Sequence, residues 1–144
     1  MATKEEVAAA SSPMAFFAHD ANAAQDEKCQ RLILRRGWDG YGRWWRLCEH
    51  LAATKGHRAA FETDEDAMIM SGALGYAPHE VDDCKKFIAD LLDIGLLVAD
   101  GNGHVESMRM QQNALYFGRQ RVNGRKGGRP RKTRSNSVSA GQEV

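Results

Sequence analysis

Long apolar runs, paired cysteines and clustered histidines are all missing from this 144-residue chain. No apolar stretch reaches the roughly 20 residues that a membrane-spanning helix needs. The start, Met1-Ala2-Thr3-Lys4-Glu5-Glu6, carries acids where a secretory signal needs net positive charge. A soluble, cytoplasmic protein is expected. Cys29, Cys48 and Cys84 are odd in number and far apart, which argues against a disulfide framework and for buried free thiols. His19, His50, His57, His79 and His104 are scattered, with no His-Glu-x-x-His and no Cys-x-x-Cys, so no metal, cofactor or catalytic set is expected. The histidines read as surface or capping residues. Adjacent His19 and Asp20 make no acid/base pair, because neighbours on extended chain point to opposite sides; Asp20 is expected to cap local backbone.

Acidic residues are absent from one further place. Between Arg119 and Arg134 there is no Asp or Glu, while Arg119, Arg121, Arg125, Lys126, Arg129, Arg131, Lys132 and Arg134 supply eight positive charges. The whole-chain charge of +1 conceals this, since residues 1–118 carry −6 and residues 119–144 carry +7. Composition divides the chain into a disordered N-terminal tail (1–13, rich in Ala, Ser and charge), a folded domain (14–118) and a basic, largely disordered tail (119–144). A domain of about 105 residues buries roughly two thirds of its unfolded surface, enough to be stable without disulfides or metals.

Within the domain, Met14–Ala18 fits an edge strand or an extended arm pinned by Phe16 and Phe17. Asp26 is a helix cap, Cys29, Leu32 and Ile33 follow at helical spacing, and Gly37 is a stop. Tyr41, Trp44, Trp45, Cys48, Leu51 and Ala52 then form one continuous helical stripe ending before Gly56. Residues 57–62 read as a short extended segment, and Thr63 with Asp66 as a capping box opening a helix to Gly75. Pro78 suits the first turn of the next helix, whose face is Val81, Cys84, Phe87, Ile88, Leu91 and Leu92, with Gly95 beyond it. Leu96–Ala99, the turn Asp100-Gly101-Asn102-Gly103 and His104–Met108 predict a hairpin. A last helix runs from Met110 to about Val122.

Two helices joined by a tight turn and followed by a hairpin make a winged helix-turn-helix. The predicted fold class is therefore mainly α with a small β wing, with extra N-terminal and C-terminal helices and a third strand near Phe61.

Phe16-Phe17-Ala18-His19-Asp20, Asp26-Glu27-Lys28, Gly37-Trp38-Asp39-Gly40-Tyr41-Gly42-Arg43-Trp44-Trp45 and Leu91-Leu92-Asp93-Ile94-Gly95-Leu96-Leu97 together resemble the N-terminal winged-helix domain of phage and prophage replication-organiser proteins. That domain is similar to the N-terminal domain of the primosomal protein DnaD, and is related to a Lin-type domain of unknown function. The resemblance spans roughly residues 14–132, with Phe16-Phe17-Ala18 standing where the family pattern runs Tyr-Phe-Pro. It implies a noncatalytic DNA-binding protein linked to replication initiation, with a protein partner or a homo-oligomer. A transcription regulator reading an operator is the alternative.

In most winged helices the second helix of the pair enters the major groove. Here its exposed face carries His79, Glu80, Asp82, Asp83, Lys86, Asp90 and Asp93, which phosphates would repel. Lys85 and Lys86 are the secondary candidates for DNA contact. The tail is the main one: dense Arg and Lys neutralise phosphates whatever the base sequence. Gly128-Arg129-Pro130 with its basic flanks resembles an AT-hook core, in which extended Arg-Pro backbone lies in the narrow minor groove of A·T-rich DNA. An inert solvated linker is the competing reading. Trp38, Trp44 and Trp45 are read as core residues or, alternatively, as a partner-binding patch.

Overall fold

The computed structural model describes residues 1–125, and five helices surround a three-stranded sheet. The helices are α1 (Lys4–Ala10), α2 (Glu27–Ala53), α3 (Asp64–Ala73), α4 (Val81–Ile94) and α5 (Met108–Arg125); the strands are β1 (Arg58–Ala60), β2 (Val98–Ala99) and β3 (His104–Glu106). The chain is mainly helical with a small antiparallel wing, in strand order β1-β3-β2. Ala59 opposes Val105 on one side of β3, and Ala99 opposes Val105 on the other. The third strand near Phe61 is thus where the sequence puts it. Among the described residues, no helix is long and apolar enough to cross a membrane.

Local signals account for most element boundaries. The Asp26 carboxylate accepts from the Lys28 and Cys29 amides and starts α2. Gly37 then leaves helical geometry at φ 69, ψ −170, breaking α2 into two helical pieces across a kink. Only glycine takes that backbone without strain, and Gly40 lies directly beneath the Arg36 side chain, where a Cβ would stand 2.2 Å from Arg36 Cβ. Thr63 and Asp66 form the reciprocal capping box of α3. Pro78 opens a 3-10 turn ahead of α4, and Gly95 closes α4 in left-handed geometry. In the wing turn, Asp100 Oδ1 accepts from the Asn102 and His104 amides.

The core lies where α2, α3, α4 and the wing meet. Leu32, Leu47, Leu51, Phe87, Ile88, Leu91 and Leu97 are almost fully buried, each contributing about 1.5–3 kcal/mol by removal of apolar surface from water. Cys29, Cys48 and Cys84 are buried free thiols. Burial pushes the Cys84 thiol up to about 11 and that of Cys48 higher still.

Three expectations need correction. Residues 4–10, expected in a disordered tail, form α1, because Thr3 and Glu6 make a capping box and the helix packs along α5. Its Ala9 is buried, and Gly118 of α5 lets the two backbones approach so closely that a Cβ would stand 2.8 Å from the Ala10 amide nitrogen. The domain accordingly does not stop at residue 118: α5 starts earlier than expected, with Ser107 Oγ accepting from the Met110 amide, and continues to Arg125. His57, read as a surface or capping residue, is buried at 1 % exposure, with its ring nitrogens 2.9 Å from the Leu51 carbonyl oxygen and 2.8 Å from that of Ala10. It ties α1 to the end of α2.

Met14–Ala18 forms no strand, which decides between the two readings of that run. It is an arm held by the Met14 amide donating to Ala52 O (2.8 Å) and the Ala18 amide donating to Asn113 Oδ1 (3.1 Å).

Candidate nucleic-acid interface

Three surfaces were candidates in the sequence, and the fold treats them differently. On the helix-turn-helix, α4 carries Asp82, Asp83 and Lys86 exposed to solvent. Lys85 is held by Asp64 of α3 (2.8 Å), leaving Lys86 as the free member of the pair. The acidity of α4 is smaller than its sequence suggests. Arg35 of α2 reaches Asp90 (3.1 Å) and Asp93 (2.7 Å), and Arg36 reaches Asp90 (2.6 Å). Arg36 and Arg35 hold the Asp90 carboxyl below its ordinary value, although burial works in the other direction. Glu80 is also occupied, its Oε1 accepting from the Ala77 amide (2.6 Å). Asp82, Asp83 and Glu65 of α3 make no salt bridge among the described residues, so the start of α4 is negative there. At the wing, Arg58 of β1 turns to Glu106 (3.2 Å), and the Asp100–Gly103 tip holds no cation.

The second surface is the basic stretch, of which Arg119, Arg121 and Arg125 lie on α5. Arg119 Nε donates to Glu6 Oε1 (3.3 Å), and Arg121 donates to Ala9 O (2.6 Å). Both hold α1, but differently: Arg119 is paired with the Glu6 carboxylate, whereas Arg121 bonds a neutral carbonyl, keeps its charge and is solvent-exposed. Arg125 is exposed in the last turn of α5. Lys126, Arg129, Arg131, Lys132 and Arg134, with the AT-hook-like segment, lie outside the described residues.

Beside Arg121 the sequence reading missed an aromatic cluster. Phe16 from the arm stacks on Phe117 (centroids 5.6 Å, planes 16° apart), and Tyr116 meets Phe117 edge-on at 5.4 Å. Phe16 and Tyr116 are 68 % and 57 % exposed. Phe16 and Phe117 line a groove of about 320 Å³ together with Met14, Ala15, Gln120 and Arg121. The i, i+4 spacing of Phe117, Arg121 and Arg125 was the available signal, but the partner ring comes from a residue 101 positions away.

The three tryptophans separate. Trp44 is buried in the core, and Trp38 is exposed, edge-on to Tyr41 at 5.5 Å. Trp45 is half-buried against the arm's rings: His19 lies on it at 3.4 Å and Phe17 at 6.1 Å, and its indole Nε1 has no hydrogen-bond partner among the described residues. Asp20, expected to cap local backbone with its side chain, instead takes Arg109 of α5, because the arm crosses α5 at that point. Among the described residues, no three His, Cys, Asp or Glu side chains gather as a metal set.

The family model described as Lin1244/Lin1753-like, N-terminal, matches residues 16–106, from the arm to the end of β3. Helices α1 and α5 lie outside the match. Searches of the curated proteins and of the solved structures find no match.

Proposed function

The chain belongs to the family of Lin1244/Lin1753-like N-terminal domains, and from that premise we propose that it is a noncatalytic DNA-binding protein of phage or prophage type, acting in the cytoplasm in replication initiation or replisome organisation. The folded domain makes protein contacts, with a replication partner or a second copy through the face around Trp38, and the basic tail holds DNA. The resemblance of the arm and α2 motifs to replication-organiser domains supports the replication role. One observation carries the DNA reading: from Arg125 to Arg134 there are six cations and no acid, following directly on a helix whose own Arg119 and Arg121 are already engaged by α1. Cations at that density release counterions from phosphates without reading bases.

Deleting residues 126–144 leaves α5 and its clamp intact and is the appropriate test. Gel retardation of duplex DNA by the full chain should fall with salt at a log–log slope of up to about −5 if all six cations meet phosphates, and should be lost in the truncated protein. Equal retardation by both forms would refute the tail as the DNA contact.

Neutralisation of Asp90 and Asp93 by Arg35 and Arg36 favours a second reading, a transcription regulator whose α4 reads an operator. Lys85→Ala with Lys86→Ala separates the two: footprinting of a specific sequence is lost in the regulator, whereas tail-mediated binding is hardly changed.

A further inference from the structure

The groove between the arm and α5 has two chemically different sides. Met14, Ala15, Phe16 and Phe117 give it an apolar wall, and Gln120 and Arg121 a polar one. Phe16 and Phe117 already lie nearly parallel at 5.6 Å, so the apolar wall is formed before anything binds. Arg121 is the charged residue of the lining, and no acid lines the groove to oppose it. Its guanidinium donates to Ala9 O, a neutral acceptor that positions the group without cancelling its charge, whereas Arg119 is neutralised by Glu6. Arg125, exposed and four residues on, adds a second cation to the same side of α5.

A mostly exposed Phe ring beside a pre-positioned, unopposed guanidinium fits a ligand that covers the ring with an apolar group and meets the planar fork with a carboxylate. A peptide with an apolar side chain next to Asp or Glu has both. A nucleic-acid strand fits less well. One charged lining residue serves a single phosphate, and the two rings are stacked on each other instead of spaced for successive bases. The volume, about 320 Å³, is at the small end of the roughly 300–1,000 Å³ of ligand clefts and admits a few side chains, not a folded domain.

We propose that this groove docks an acidic-apolar peptide segment of a partner protein, its apolar side chain against Phe16 and Met14 and the neighbouring carboxylate on Arg121. The inference is independent of DNA binding by the tail and adds a protein contact separate from the face around Trp38. Of the six lining residues only Phe16 falls within the family match, so the groove belongs to the parts of the chain that flank the shared domain.

The full chain is titrated by fluorescence polarisation with labelled peptides of about ten residues, each carrying a Phe, Leu or Trp between two Glu. Matched peptides carry Ser in place of the apolar residue, or Lys in place of both Glu. The acidic-apolar peptides should bind about tenfold or more tighter than either match; attraction to basic residues alone would be indifferent to the apolar residue. Phe16→Ser should remove the preference for the apolar residue. Arg121→Glu should move the preference between Glu and Lys peptides about tenfold toward Lys, a change that loosening of α1 alone would not produce. Circular dichroism checks the fold of both variants. A benzophenone in place of the apolar residue should crosslink to residues 14–17 or 115–121 of the unaltered chain. Equal binding of the Ser-matched peptides, an unchanged apolar preference in folded Phe16→Ser, an unchanged Glu preference in folded Arg121→Glu, or crosslinks confined to other parts of the chain would each overturn the inference. Should a variant unfold, the matched peptides and the crosslink positions on the unaltered chain decide. If no peptide shows the apolar preference and oligo(dT) of about 20 nucleotides binds the unaltered chain more tightly than Phe16→Ser, the peptide is overturned and the groove passes to single-stranded nucleic acid.

Discussion

His19 lies flat on Trp45, ring centroids 3.4 Å apart and planes 10° apart. The two residues are 26 positions apart in sequence and belong to different parts of the family pattern, the His-Asp of the arm and the paired tryptophans of α2. With Phe17 stacked beside it and Asp20 bound to Arg109, the indole is the surface on which the arm is laid.

Removing that surface should free the arm. Trp45→Ala is expected to cost about 3 kcal/mol or more by loss of a large packed ring, and His19→Ala about 1 kcal/mol, measured by urea unfolding. Chymotrypsin should cut after Phe16 or Phe17 faster in both variants than in the unaltered chain. An unchanged cleavage rate in Trp45→Ala would show that backbone hydrogen bonds alone hold the arm.

Gly118→Ala tests the α1 and α5 contact. The added Cβ would stand 2.8 Å from Ala10 N and 2.9 Å from Glu6 O, both backbone atoms that cannot swing aside. A destabilisation of about 1–3 kcal/mol is expected, with faster hydrogen exchange at the α1 amides of residues 7–11. Amides around Leu32 and Phe87 should keep most of their protection.

His57→Ala removes a buried ring whose nitrogens lie against the Leu51 and Ala10 carbonyl oxygens. The vacated volume and the lost hydrogen bond together should cost about 2–4 kcal/mol, read as a lower thermal midpoint. Deleting residues 1–11 should leave a protein in which the same substitution costs less, because one of the two carbonyls has gone with α1.

Asp90 sets an acid limb. Its folded value lies below the ordinary 3.8 because the Arg36 and Arg35 hydrogen bonds outweigh burial. A depressed carboxyl contributes stability that is present above the unfolded value and lost as pH falls through the folded one. Unfolding free energy should therefore decline from about pH 4 downward. Arg36→Ala should remove about 1–2 kcal/mol at neutral pH, allowing for partial exposure, and flatten that decline.

Most of the helices and the wing were legible because their signals are local. Asp26, Thr63 with Asp66, Pro78 and Gly95 act on backbone within a turn of themselves, and the apolar stripe from Tyr41 to Ala52 has a period that only a helix buries on one side. Helix α1 was missed: Thr3 and Glu6 hold capping-box spacing, but the Ala-rich stretch buries too little to be stable alone and forms by docking on Gly118. Candidate site residues were less legible. Arg119 counts as a free cation until Glu6 is brought beside it, and Asp90 and Asp93 count as free acids until Arg35 and Arg36 arrive.

What the sequence by itself determined is the order of elements, the wing and the separation of charge between the domain and its basic end, all properties of neighbours along the chain. Which charges stay free, and which rings face solvent, the tertiary structure alone decided. Both depend on partners from 21 to 113 residues apart, set by packing that no local period encodes.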